Sequence, residues 1–197
     1  MELNINEIQK IEKRIDKDII LFFDMDGTLI DTNLANFLSY KQAILSITKS
    51  DQHLIFNPDQ RFNRSNLKIT VPNLTDAEYV KIIQEKEKLY DDFLSETKLI
   101  ENVAEILIKY AETNMTVLVT NCRKERAVKT LEHFGLLEKF SHKFYREFAG
   151  NSEKTNKYLN AISKLGIQSS LIIAFEDEES EIADAQKAGI SIVNPIF

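Results

Sequence analysis

Five consecutive apolar side chains, Ile19 to Phe23, run straight into Asp24 with no polar residue to mark a wet face. Strict alternation would describe a strand with one face in water, whereas an unbroken run of strand length describes one covered on both sides. Related runs recur as MTVLVT (115–120), SLIIAFE (170–176), a weaker HKFYRE (142–147) and a short ISIV (190–193). Helical patterns separate them. IENVAEILIKYAETN precedes the second run, and KERAVKTLEHFG, SEKTNKYLNAISKLG and SEIADAQKAG each close on a glycine suited to a helix C-terminus. Isoleucines at 5, 8, 11 and 15 add a lead-in helix. This alternation predicts an α/β fold, a doubly wound (Rossmann-like) parallel sheet whose ligands bind at the carboxyl ends of the strands. Asp24, Thr120, Glu176 and Asp177 are thereby expected on one rim.

Residues 33–98 break the rhythm. LANFLSYKQAILSI reads as a helix, and TDAEYVKIIQEKEKLYDDFLSE reads as a long one opened by a Thr75–Glu78 capping box. Between them lies a polar stretch, NPDQRFNRSNLKITVPN, and no strand of buried character. The expected organisation is an α/β core of residues 1–32 and 99–197 carrying an inserted all-helical subdomain, 33–98.

Composition narrows the partners. The 25 Lys and Arg against 31 Asp and Glu leave a formal charge of −6, which gives no strong nucleic-acid signal. The single cysteine, Cys122, has no partner for an internal disulfide and belongs to no zinc-spaced cluster. With no His beside it in sequence, it reads as a packing residue rather than a nucleophile. No apolar run approaches the length of a membrane span, and the charged amino-terminal stretch lacks the apolar region of a signal peptide. A cytoplasmic protein with no membrane partner is expected.

The chemistry begins where the first strand ends. Asp24, Asp26 and Asp31 lie within eight residues. A hairpin turn at Asp26-Gly27 would be the plain explanation. An EF-hand loop fails, because Gly27 is the fourth residue and Ala35 the twelfth. Two carboxylates at a strand end can divide labour if a cation shields their repulsion, one attacking an electrophile and the other moving a proton. A hard cation such as Mg²⁺ takes one or two carboxylates and completes its shell with water and phosphate. Gly27 lets backbone approach a phosphate, and Thr28 places a hydroxyl beside it.

The stretch DMDGTLIDT resembles the first signature of the haloacid dehalogenase-like superfamily of phosphohydrolases, and the family's order of elements recurs along nearly the whole chain. The resemblance implies Asp24 as nucleophile, Asp26 as general acid/base, and Mg²⁺ held by the Asp24 carboxylate and the Asp26 carbonyl. Thr120, followed by Asn121, fits the second motif, in which a hydroxyl and helix N-terminal amides hold the phosphoryl group; a helix N-cap explains that Thr equally well. The third motif is a lysine that neutralises the transferring charge. Lys154 and Lys157 both qualify, and Lys154 is preferred for lying 12 residues before Gly166. AFEDEESEIADAQKAGI resembles the fourth motif, with Asp177 as direct metal ligand and Glu176 acting directly or through water. Here Glu178 stands where that version has Ser, and Glu181 where it has Gly; Glu181 also matches the late acid of an alternative form. Glu178 and Glu179 read as a solvated helix start.

In this family an insert at 33–98 corresponds to a helical cap that closes over the site. Asn33, Asn36, Tyr40, Arg61, Asn63, Arg64 and Lys68 are its candidates for reading the leaving group, Arg64 foremost. A Mg²⁺-dependent phosphatase acting on a small phosphorylated substrate through an aspartyl-phosphate is therefore expected. A phosphomutase of the same superfamily is the near alternative, and a non-catalytic binding module the distant one.

Overall fold

The computed structural model describes residues 5–50, 54–146 and 155–195. The chain divides into two compact units, Met1–Ile30 with Leu99–Phe197, and Asp31–Lys98. No helix among the described residues is long and apolar enough to cross a membrane.

In the larger unit, the apolar run becomes β1 (Ile20–Phe23), buried at every position. The two-residue strands β2 (Ile30–Asp31) and β3 (Lys98–Leu99) stand where the chain leaves and re-enters this unit. The other strands are β4 (Thr116–Val119), β5 (His142–Phe144), β6 (Ile172–Glu176) and β7 (Ile192–Pro195). Among the described residues, five strands form one sheet in the order β5-β4-β1-β6-β7, every pair parallel. The buried runs take the centre, and the weaker HKFYRE becomes the edge strand β5, shorter than its pattern suggested. Pro195, which cannot donate to a ladder, falls at the end of the other edge strand.

Because side chains alternate across a strand, β1 feeds two cores. Leu21 and Phe23 pack with Leu118, Ile173 and Phe175 beneath helices α1 (Ile5–Glu12), α5 (Glu101–Tyr110) and α6 (Lys124–His133). Ile20 and Phe22 pack with Val117, Val119 and Ala174 beneath α7 (Lys157–Leu165) and α8 (Glu179–Lys187). The Phe23 and Phe175 rings stack at 4.8 Å, tying β1 to β6 just before their acidic ends. The strand order reverses on either side of β1, so the carboxyl end of β1 is the switch point where such sheets bind ligands.

The smaller unit holds α2 (Asn33–Thr48), a seven-residue α3 (Arg64–Thr70), α4 (Asp76–Leu89) and a 3-10 stretch, Tyr90–Glu96. Its core joins Phe37, Tyr40 and Ile44 of α2 to Leu67 of α3 and Ile82 of α4. The Thr75–Glu78 capping box forms in full: the Thr75 hydroxyl accepts from the Glu78 N–H, and the Glu78 carboxylate accepts from the Thr75 N–H. Two local features depart from the sequence pattern. The polar middle contains α3, nucleated by a second capping box between Asn63 and Asn66. The long helix stops at Leu89, and its last turns tighten into the 3-10 stretch. The N-cap residue of α2 is Thr32, and the Asp31 carboxylate accepts from the Asn33 N–H at 3.0 Å.

Candidate active site

β1 delivers Asp24 to the rim, and the chain then turns sharply. The Gly27 N–H donates to the Ile30 carbonyl at 2.8 Å, and the Leu29 and Ile30 N–H groups both return to the Met25 carbonyl. Gly27 has a φ of +94°, a region L-residues rarely enter. A Cβ there would sit 2.3 Å from Oδ2 of Asp177. The glycine is thus demanded twice, by backbone geometry and by the carboxylate packed against it. Beside it the Thr28 hydroxyl donates to Asp177 Oδ1 at 2.7 Å, joining the β1 loop to the end of β6.

Lys157 opens α7 immediately after its N-cap, Asn156, whose side chain accepts from the Tyr158 and Leu159 N–H groups. The Asn156 amide also donates to the Asp184 carbonyl, which anchors the start of α7 to α8. From this fixed point the Lys157 ammonium reaches Asp24 Oδ1 at 2.7 Å and Glu176 Oε2 at 2.8 Å, with Glu181 Oε2 at 3.6 Å. Burial alone would draw its proton affinity down, but Asp24, Glu176 and Glu181 outweigh that and raise its pKa. Lys154 lies outside the described residues. The structure brings Lys157, the other lysine that the sequence offered, against Asp24.

Glu176 is saturated. Oε2 accepts from Lys157 and, at 2.6 Å, from the Tyr158 hydroxyl, while Oε1 accepts from the Asp177 and Glu178 N–H groups. Burial, with Glu176 and Asp24 adding to it, pushes the Tyr158 hydroxyl well above the usual phenol range, so it stays a donor. Burial likewise drives the Asp24 carboxyl well above the usual carboxylate range; Lys157 opposes the rise, and Glu176 and Asp26 add to it.

Thr120 is buried at the end of β4, its hydroxyl accepting from the Cys122 N–H at 3.1 Å. Asn121 donates its amide to Glu181 Oε1 at 2.9 Å. Cys122 packs into the core beneath α6. Glu178 and Glu179 are exposed at the start of α8. Arg126, Tyr158 and the buried setting of Glu181 were not read from sequence as site features with contacts. Arg126 did carry one signal: a cation in the first turn of a helix opposes the dipole and asks for an acidic partner. That partner is Asp26, at 2.8 Å.

Asp24, Glu176 and Asp177 each offer a carboxylate oxygen, and these oxygens lie within 4.8 Å of one another. Among the described residues, Asp24, Asp26, Glu176, Asp177 and Glu181 gather here with the cations Lys157 and Arg126. The hard carboxylate oxygens of Asp24, Glu176 and Asp177, at this spacing, fit Mg²⁺. Asp24 and Asp177 suit direct ligation. Glu176, already accepting four hydrogen bonds, suits an indirect role.

In the smaller unit, Asn63 spends its side chain on the α3 cap, and Asn36 donates to the Phe62 carbonyl. The Arg61 guanidinium donates to the Thr32 hydroxyl at 3.4 Å, and the Lys68 ammonium lies over the Tyr79 ring. Arg64 is half-buried at the first position of α3.

A sequence model described as haloacid dehalogenase-like hydrolase matches residues 20–194. Among curated proteins, a phosphorylated carbohydrates phosphatase of Thermotoga maritima is 24% identical over 86% of this chain and 81% of its own length. Among solved structures, CbbY of Rhodobacter sphaeroides, in complex with phosphate, superposes with a TM-score of 0.70 at 16% identity, covering 90% of this chain and 86% of that one. A predicted phosphoglycolate phosphatase from Haemophilus somnus does so with a TM-score of 0.69 at 21% identity, covering 89% and 84%.

Proposed function

Since the chain belongs to the haloacid dehalogenase-like hydrolases, we propose that it is a Mg²⁺-dependent phosphatase that hydrolyses the phosphate ester of a small phosphorylated carbohydrate through an aspartyl-phosphate. The observation that carries this reading is the Lys157 ammonium, bonded at once to Asp24 and Glu176 beside the three clustered acids at the switch point. The carbohydrate class follows the name of the Thermotoga maritima relative.

Each residue then has one task. Asp24 attacks the phosphorus, and Lys157 neutralises charge on the nucleophile and on the transferring group. Asp26 protonates the leaving oxygen and later takes the proton of the attacking water. The Thr120 hydroxyl, the Asn121 backbone and the Gly27–Thr28 turn cradle the phosphoryl oxygens. Asp24, the Asp26 carbonyl and Asp177 would hold Mg²⁺, with Glu176 acting through water. When bound, the metal would neutralise phosphoryl charge and orient the group for in-line attack. Phosphoryl transfer requires mostly positioning and charge neutralisation, and these residues provide both.

A panel of sugar phosphates assayed for phosphate release, with Mg²⁺ and with chelator, tests the reading. Asp24→Asn should lower turnover at least about 10³-fold while the protein stays folded. Activity at the wild-type level in that variant would overturn the mechanism. Recognition of the rest of the substrate is assigned to the helical unit. Arg64→Ala should raise KM for the preferred sugar phosphate several-fold and leave turnover of an aryl phosphate nearly unchanged; equal losses on both would remove Arg64 from that role.

A further inference from the structure

Arg126 is a charged side chain that neither the fold nor the assigned tasks account for. It occupies the first turn of α6, where the helix dipole disfavours a cation. Its side chain is nonetheless only 15% exposed. Two directional contacts of the guanidinium are to described residues: Nε donates to Cys122 Sγ at 2.9 Å, and Nη2 donates to Asp26 Oδ2 at 2.8 Å. Guanidinium N–H groups lie in one rigid plane, so tying Nε to the sulfur fixes the direction in which Nη2 points. Asp26 is therefore gripped by one oxygen from a known side.

Strand pairing does not depend on this grip. β1 and β4, the strands that lead to the two residues, already pair directly through Leu21–Thr116, Phe22–Val117 and Phe23–Leu118. The grip instead holds Oδ2 of Asp26, two residues after Asp24.

We propose that Arg126 is a positioning residue for proton transfer by Asp26, an inference that rests on the phosphatase reading above. In the first step the Asp24 carboxylate forms an O–P bond and the bond from phosphorus to the ester oxygen breaks. The electron pair stays on that oxygen, which takes the proton of the Asp26 carboxyl and leaves as an alcohol. In the second step water attacks phosphorus and gives its proton to the Asp26 carboxylate, and the Asp24–phosphate bond breaks to release inorganic phosphate. Arg126 acts through Asp26, whose Oδ2 it holds. It aims the group that serves the leaving oxygen.

An alkoxide is a poor leaving group and depends on that proton; p-nitrophenolate leaves without it. The test is therefore kcat/KM for an alkyl phosphate and for p-nitrophenyl phosphate, since kcat/KM reports the first step alone. General acid catalysis contributes about 10²–10⁴-fold, so Arg126→Met should cost the alkyl phosphate about 30–100-fold and the aryl phosphate about threefold. Arg126→Lys keeps the charge without the planar fork and should recover part of the alkyl activity. If the methionine variant does not fold, the lysine variant should still show the selective loss, about tenfold against the alkyl substrate. Equal losses on both substrates, or no loss on either, would overturn the inference. Wild-type protein inactive on every phosphate ester would instead overturn the phosphatase reading, and the inference with it.

Discussion

The two units bury a lysine in opposite ways. In the α/β unit, Lys157 is held by the carboxylates of Asp24, Glu176 and Glu181. In the helical unit, Lys86 is buried as deeply, but it lies over aromatic faces, 5.3 Å from the Tyr40 ring centre and 5.0 Å from that of Tyr90, with Glu87 at 3.6 Å. A carboxylate cage joins charges that all lose water together, so removing the cation leaves acids facing one another. A ring cage is worth about 2 kcal/mol when desolvated and loses little more than that attraction with its cation. On the proposed phosphatase reading, the first arrangement also receives a metal and a phosphoryl group.

Lys157→Met is the strongest way to break this contrast. It should cost about 3–5 kcal/mol, the penalty for stripping one partner from a buried ion cluster, measured by urea unfolding. Added Mg²⁺ should restore part of the loss by supplying the missing positive charge; a variant as stable as wild type would show that the carboxylates are not coupled through Lys157. Gly27→Ala should follow at about 2–3 kcal/mol, because it forces a strained φ and drives a methyl into Asp177. It should also shrink the thermal shift produced by Mg²⁺, and an unchanged shift would separate Gly27 from the metal site. Lys86→Met keeps the stem and removes the charge over the rings and beside Glu87, so its cost should stay below that of Lys157→Met. A loss as large as that of Lys157→Met would erase the distinction between the units.

The smallest effect belongs to the α4 cap. Thr75→Ala should cost about 1 kcal/mol. The Thr75 hydroxyl, followed by its N–H, holds the Glu78 carboxyl below the usual glutamate range. A depressed folded pKa stabilises above the unfolded value, and the contribution is lost as pH falls through the folded one. The stability gap between wild type and Glu78→Gln should therefore be present at neutral pH and close in acid. A gap that persists at low pH would assign it to something other than the charge.

How much of the site could be read from the chain differs from residue to residue. Asp24, Asp26, Gly27 and Thr28 lie in one local stretch at a strand end, where a continuous apolar run and two acids leave few alternatives. Thr120 and Asp177 follow the same rule, each placed by the strand before it. Lys154 and Lys157 are three residues apart, and Lys154 lies outside the described residues. Asn156 caps α7, so Lys157 becomes its first residue and reaches Asp24. Helix starts are set by such caps, which spacing to a distant glycine does not resolve.

Arg126, Tyr158 and Lys86 lay beyond pattern reading for another reason. A basic or phenolic side chain on a helix is ordinarily solvated, and apart from the first-turn place of Arg126 nothing local distinguishes it from one aimed inward. Local order along the chain determined the alternation of strands and helices, the insert and the acids at the strand ends, because apolar periodicity and turn chemistry act between near neighbours. Tertiary structure alone decided which cations meet those acids. Lys157 finds Asp24 across 133 residues, and Arg126 finds Asp26 across 100. Buried charge is tolerated only where its counter-charge arrives, and that depends on how the sheet is wound.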